Sequence, residues 1–167
     1  TKIVAQDAAA FPGATQSSAT EVDGVPKMYI ERAGSQRWLV IYQSYSEAWP
    51  DARDFVLASG LALERENKET GILETTWATN YATSVLQGTQ RLLSKLLGSS
   101  YTNDTRDKFR IRVEPARIAD TSEIYLTHRG MRETSIIDNG IDPVRTVWEP
   151  TPPDAGIEAE MLAQLMV

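Results

Sequence analysis

Between residues 106 and 131 apolar and polar positions alternate almost without a break. Phe109, Ile111 and Val113 are interleaved with Lys108, Arg110, Arg112 and Glu114; Ile124 and Leu126 are interleaved with Glu123, Tyr125, Thr127 and Arg129. A period of two sends successive side chains to opposite faces of a strand. The pattern therefore predicts two strands, 108–114 and 123–129, each with an apolar face and a charged face. The connector between them is short, so they should pair antiparallel and pack on one side only.

The flanking sequence supplies the partners. Met28 and Ile30 alternate with Tyr29 and Glu31, predicting a strand over 27–32. Ala33-Gly34-Ser35 turns the chain into a nearly continuous apolar run, 38–42, a strand with both faces at least partly covered. The period then lengthens. Trp49, Ala52, Phe55 and Val56 share one face of a helix over 46–59, with Ser44 and Glu47, or Ser46 alone, offering capping chemistry and Gly60 a stop. Pro50 is tolerated only in a first turn, which leaves the start of this helix open by several residues. Leu61 and Leu63 begin a short strand, and 72–77 returns it with Leu73, Thr75 and Trp77 on one face. Val85, Leu92, Leu93, Leu96 and Leu97 mark a second helix, 84–97, closed by Gly98. Residues 131–137 extend the second central strand as far as the Asp138-Asn139-Gly140 turn. Val144, Thr146 and Trp148 alternate in a last strand that Pro150, Pro152 and Pro153 should break. Asp154 reads as the N-cap of a C-terminal helix. Glu158 and Glu160 lie in its early turns, and Ile157, Met161 and Leu165 stand at i, i+4 and i+8.

The order β-β-α-β-β-α-β-β-β-α predicts an α+β domain over 27–167: one antiparallel sheet with helices packed on one face. Residues 1–26 are rich in Ala, Ser, Thr, Gln and Gly and poor in large apolar side chains. They are expected to form a flexible N-terminal segment, either without a role or ordering on a partner.

Charge and composition narrow the function. The chain carries a net charge of −6 and a pI of 4.9, which argues against nucleic acid as the main partner. With no cysteine there is no disulfide, thiolate metal site or cysteine nucleophile. No apolar run approaches the roughly 18 residues of a membrane span. The chain begins at Thr1 without a signal peptide and reads as a piece of a longer protein. No strand leads into a glycine-rich phosphate loop. Glu64, Glu66, Glu69 and Glu74 cluster near one hairpin, but Glu64 and Glu66 fall on the solvent phase, where nothing would raise a carboxyl pKa for acid–base work. Asn103-Asp104-Thr105 has too few carboxylates for a calcium loop. His128, the single histidine, falls on the apolar phase and lacks the companions a zinc site needs, so it is expected to be a hydrogen-bonded packing residue. Neither a cofactor nor a metal is implied. Lys108, Arg110, Arg112 and Arg129 form a basic stripe on the outer face. It is either a solvated surface balanced by Glu114 and Glu123, or a docking surface for an acidic partner.

Several blocks resemble one family. Ile30-Glu31-Arg32-Ala33-Gly34-Ser35-Gln36-Arg37-Trp38-Leu39-Val40, Trp49-Pro50 with Arg53-Asp54-Phe55, Glu74-Thr75-Thr76-Trp77-Ala78-Thr79-Asn80, Arg106-Asp107-Lys108-Phe109-Arg110-Ile111-Arg112, Glu123-Ile124-Tyr125-Leu126-Thr127-His128-Arg129-Gly130-Met131 and Glu158-Ala159-Glu160-Met161-Leu162 with Leu165-Met166-Val167 are similar, in order, to BamC lipoproteins of the outer-membrane β-barrel assembly machinery. The resemblance implies a helix-grip fold, an antiparallel sheet gripping a C-terminal helix. It implies a non-enzymatic accessory subunit of the Bam complex, lipid-anchored at the outer membrane through an upstream cysteine, with BamD as its chief partner through a flexible segment. It supplies no catalytic residue. The rival expectation is a helix-grip domain that binds a small apolar ligand, with Trp38, Trp49, Trp77 and Trp148 lining its cavity; fold analogy alone supports it.

Overall fold

A computed structural model describes residues 17–22, 25–78, 104–137 and 143–166. The long strands of the alternating region organise the molecule. β6 (Thr105–Pro115) and β7 (Ser122–Ile137) pair antiparallel from Thr105↔Arg132 to Pro115↔Ser122. Around them stand β1 (Ser17–Val22), β2 (Val25–Ala33), β3 (Gln36–Ile41), β4 (Leu63–Asn67), β5 (Ile72–Thr75) and β8 (Pro143–Thr151). They make one eight-stranded sheet in the order β1-β2-β3-β7-β6-β5-β4, with β8 beside β7. All of its pairings are antiparallel. Among the described residues there are two helices, α1 (Tyr45–Ala58) and α2 (Ala155–Gln164).

One edge of β7 serves two strands. Residues 122–125 pair with β3, and residues 130–137 pair with β8. In the interval between them α2 comes down on the sheet.

Both helices lie on the same face. α1 buries Ala48, Trp49, Ala52 and Val56, and α2 buries Met161 and Leu162. They meet Leu39, Ile41, Leu73, Phe109, Ile111, Val113, Ile124 and Leu126 from four strands in a single core. A helix of 10 residues such as α2 is too short to persist alone in water. Burial of its large side chains, worth roughly 1.5–3 kcal/mol each, is what holds it. The sheet with its gripped C-terminal helix is the helix-grip, α+β arrangement expected from the sequence.

Local chemistry explains the ends. Ser44 caps α1: its backbone N–H donates to Glu47 Oε2 at 3.0 Å and its hydroxyl to the same oxygen at 2.8 Å. Asp154 caps α2 by accepting from the backbone N–H groups of Gly156 (2.8 Å) and Ile157 (3.1 Å). Gly71, in the turn between β4 and β5, has φ of +70° and accepts from the Val113 N–H at 2.8 Å. A Cβ there would sit 2.1 Å from the Val113 carbonyl oxygen, so only glycine fits.

Four expectations change. Ser17–Val22, placed in the flexible segment by composition, is a strand that turns back on itself at Val22↔Val25 and lines β2. An edge strand is held by backbone bonds to its neighbour, which a count of apolar residues does not register. Residues 1–16 lie outside the described residues. Pro150 does not break β8, which runs on to Thr151 with Pro150 opposite Met131; an outlying strand tolerates a missing N–H. Pro50 falls in the second turn of α1, on its exposed side, because the helix starts at Tyr45. Trp77 lies beyond the end of β5. The predicted helix over 84–97 and the turn at Asp138 lie outside the described residues.

Candidate functional site

Two places in the fold concentrate polar chemistry: a buried cluster beneath α2 and the open face of the sheet.

The cluster is built on His128. Its parity in β7 turns it to the inner face beside Phe109, with ring centroids 5.4 Å apart, and leaves it 3% exposed. His128 Nε2 lies 2.5 Å from Asp107 Oδ1. The backbone N–H of Asp154 donates to His128 Nδ1 at 3.0 Å. Since Nδ1 accepts, the ring proton is assigned to Nε2, which donates to Asp107. The backbone N–H of His128 donates to Glu158 Oε1 at 2.8 Å. This bond falls in the stretch of β7 between its pairings with β3 and β8, where a side chain of α2 does the work of a missing strand. The histidine ties the N-terminus of α2 to the sheet. Both ring nitrogens are engaged, so the imidazole is not free to act as a base. It is a packing residue as expected, with a definite task.

Three of the hairpin carboxylates, Glu64, Glu66 and Glu74, are also engaged, while Glu69 is exposed. Glu66 receives Arg53 Nε at 2.8 Å, and Glu74 lies 4.0 Å from Arg65 and 3.6 Å from Lys108 Nζ. Glu64 pairs with Lys108, whose hydrogen bond and charge hold its carboxyl below the usual range. Among the described residues no group of three or more His, Asp or Glu side chains could hold a metal ion.

The face away from the helices is the second place. Arg106, Lys108, Arg110 and Arg112 from β6 share it with Tyr125, Thr127 and Arg129 from β7 and with Trp38 and Val40 from β3. Trp38 stacks on Tyr125 at 5.7 Å and 21°, and Tyr125 OH donates to Glu123 Oε2 at 2.7 Å. Partial burial, then that carboxylate and Glu114, push the Tyr125 hydroxyl far above its ordinary pKa. Arg106 lies over the Trp148 ring, 3.8 Å from its centroid. Val40 is nevertheless buried, which agrees with a strand covered on both faces.

The basic stripe is uneven. Lys108 is held between Glu64 and Glu74 with its side chain only 14% exposed. Arg112 meets Glu114 at 3.0 Å and lies over the Tyr125 ring at 4.6 Å. Glu123, expected to balance the stripe, instead accepts from Tyr125. Arg110 and Arg129 are exposed and open on a groove of about 240 Å³, lined also by Gln36, Arg112, Tyr125 and Thr127. The wide separation of Arg110 and Gln36 in the chain hides this groove from a sequence reading; the register of β3, β7 and β6 is what assembles it.

The four-tryptophan cavity does not form. Trp49 is in the core, while Trp38 and Trp148 lie on the opposite face of the sheet. Between sheet and helices the described apolar side chains form one cluster, to which Trp49 alone of the four tryptophans belongs.

The arrangement defines a helix-grip module whose helices close one face of the sheet and whose other face is open and patterned with charge. No protein-family model matches the chain. It is 44% identical over 141 residues to the outer membrane protein assembly factor BamC of Thiobacillus denitrificans, covering 84% of this chain and 37% of that protein. It is 41% identical over 138 residues to BamC of Accumulibacter regalis, covering 83% and 35%. An uncharacterized protein of Neisseria meningitidis is 36% identical over 158 residues, covering 93% and 39%. The chain thus spans little more than a third of the length of the curated relatives it matches. Over those residues it is a homologue of the BamC assembly factors.

Proposed function

We propose that this chain is a module of an accessory subunit in outer-membrane β-barrel protein assembly, acting by contact with other proteins and not by catalysis. The observation that carries this reading is the 44% and 41% identity to two BamC assembly factors across more than four-fifths of the chain. The chemistry of the polar groups supports it. The histidine, Asp107 and the Glu64–Glu74 carboxylates are occupied in structural contacts, whereas the open sheet face presents charge outward. The partners of the whole protein are the other subunits of the Bam complex, chiefly BamD. It sits at the outer membrane through a lipid anchor upstream of this chain. The contact surface is the face bearing Lys108, Arg110, Arg112 and Arg129.

The test is gentle extraction of the full-length parent protein from membranes, followed by identification of what is recovered with it. Recovery of barrel-assembly subunits, BamD among them, is the expected result. Recovery of none would remove the reading.

A further inference from the structure

The cations of the open face differ in what surrounds them. Lys108 and Arg112 already face carboxylates. Among the described residues no carboxylate reaches Arg110 or Arg129. The two stand on adjacent strands, Arg110 opposite Thr127 and Arg129 two residues further along β7. Both open on the groove that Gln36 and Thr127 help to line.

That groove is a donor site. Guanidinium groups only donate, and the Gln36 amide and Thr127 hydroxyl can donate as well. None of its lining residues is acidic. It is therefore matched to an anion with several acceptor lone pairs, and a carboxylate held by two guanidinium groups is a strong form of such a contact. A groove of about 240 Å³ is of a size to take a side chain. The charge is local: the whole chain carries −6, and beyond about 8–10 Å, the Debye length near physiological salt, the two arginines are screened. An extended anionic surface, such as a lipid bilayer, would meet the acidic remainder of the molecule. A single acidic side chain would not.

The geometry points to the groove between Arg110, Arg129 and Gln36 as the receptor for one Glu or Asp side chain presented by an extended segment of a partner protein. This rests on the reading of the chain as an interaction subunit and adds the chemistry that subunit recognises. Arg110 and Arg129 carry the recognition, and Lys108 does not.

The test uses the full chain, a fluorescein-labelled peptide of alternating Ser and Glu, and its Ser-Gln counterpart, followed by fluorescence anisotropy. The acidic peptide should bind, and the Gln peptide should bind at least about tenfold more weakly, as expected for losing a charge-assisted hydrogen bond. Arg110→Gln and Arg129→Gln should each weaken binding about tenfold with the melting temperature unchanged, while Lys108→Gln binds like the wild type. Absent binding, equal binding of both peptides, or arginine variants that bind like the wild type would overturn the inference. So would binding to phosphatidylglycerol vesicles that the same variants abolish, which would assign the groove to a lipid headgroup. A dimer in sedimentation that the double variant dissolves would assign it to a second copy of the chain. The two readings fail separately. Parent protein carrying both substitutions that still recovers the assembly subunits sinks this inference alone. Wild-type parent that recovers none, beside intact arginine-dependent peptide binding, sinks only the assembly role.

Discussion

Replacing His128 with alanine tests the link between the C-terminal helix and the sheet. Three losses coincide. Asp107, itself 6% exposed, is left without the ring N–H that donates to its carboxylate at 2.5 Å. The Asp154 backbone N–H loses its acceptor at the point where α2 begins. The imidazole also vacates the space beside Phe109. Removing one member of a buried, hydrogen-bonded pair costs about 3–5 kcal/mol, most of it the penalty of the group left behind. In a chain of this size about 2–4 °C of melting temperature goes with each kcal/mol, so a fall of roughly 10 °C is expected. Urea unfolding of wild type, His128→Ala, Asp107→Ala and the double variant closes a mutant cycle. Because the two groups touch, the double variant should be less destabilised than the sum of the singles by at least about 1 kcal/mol. Ring-nitrogen chemical shifts should place the proton on Nε2 in the folded protein. A loss under about 1 kcal/mol, additive singles, or a proton found on Nδ1 would refute the latch.

Three further outcomes follow from local geometry. Gly71→Ala must relieve both a φ of +70° and a Cβ 2.1 Å from the Val113 carbonyl oxygen; a loss of at least about 1–2 kcal/mol is expected in the same unfolding assay, and none would mean that the β4–β5 turn relaxes freely. Glu47 has its carboxyl pKa lowered from 4.5, chiefly by its hydrogen bonds with Ser44. A lowered folded-state value stabilises above the unfolded value and is lost as pH falls through the folded one, so the stability gap between wild type and Glu47→Gln should be present at neutral pH, begin to shrink as pH falls past 4.5 and vanish only below the lowered folded-state value; a gap independent of pH would discount the capping contact. On the open face, Lys108→Ala should cost about 1 kcal/mol, because it leaves the partly buried Glu74 short of a cation, whereas Arg110→Ala should change stability by less than about 0.5 kcal/mol. Equal effects in thermal melts would contradict the division of the stripe.

That division also shows where sequence reading stops. Parity along a strand is a local property, and one face must be buried, so the alternation identified Phe109, Ile111, Val113, Ile124 and Leu126 as core and turned His128 inward with them. It equally put Lys108, Arg110, Arg112 and Arg129 on one surface. Parity does not say which strand lies alongside. Asp107 and Asp154 stand 21 and 26 residues from His128, and Glu64 stands 44 residues from Lys108. Asp107 meets His128 through the register of β6 on β7; the other partners meet because β5 borders β6, with β4 beyond it, and because α2 descends between β3 and β8. Four like charges on one face therefore looked equivalent, whereas the sheet neutralises one across a hairpin, pairs a second along its own strand, and leaves two facing a groove whose far wall, Gln36, belongs to another hairpin. The positive field of the face is thus set as much by the acidic residues of the β4–β5 hairpin as by the arginines that would meet a partner. Substitutions at Glu64 or Glu74 would alter what the face attracts without touching the groove itself.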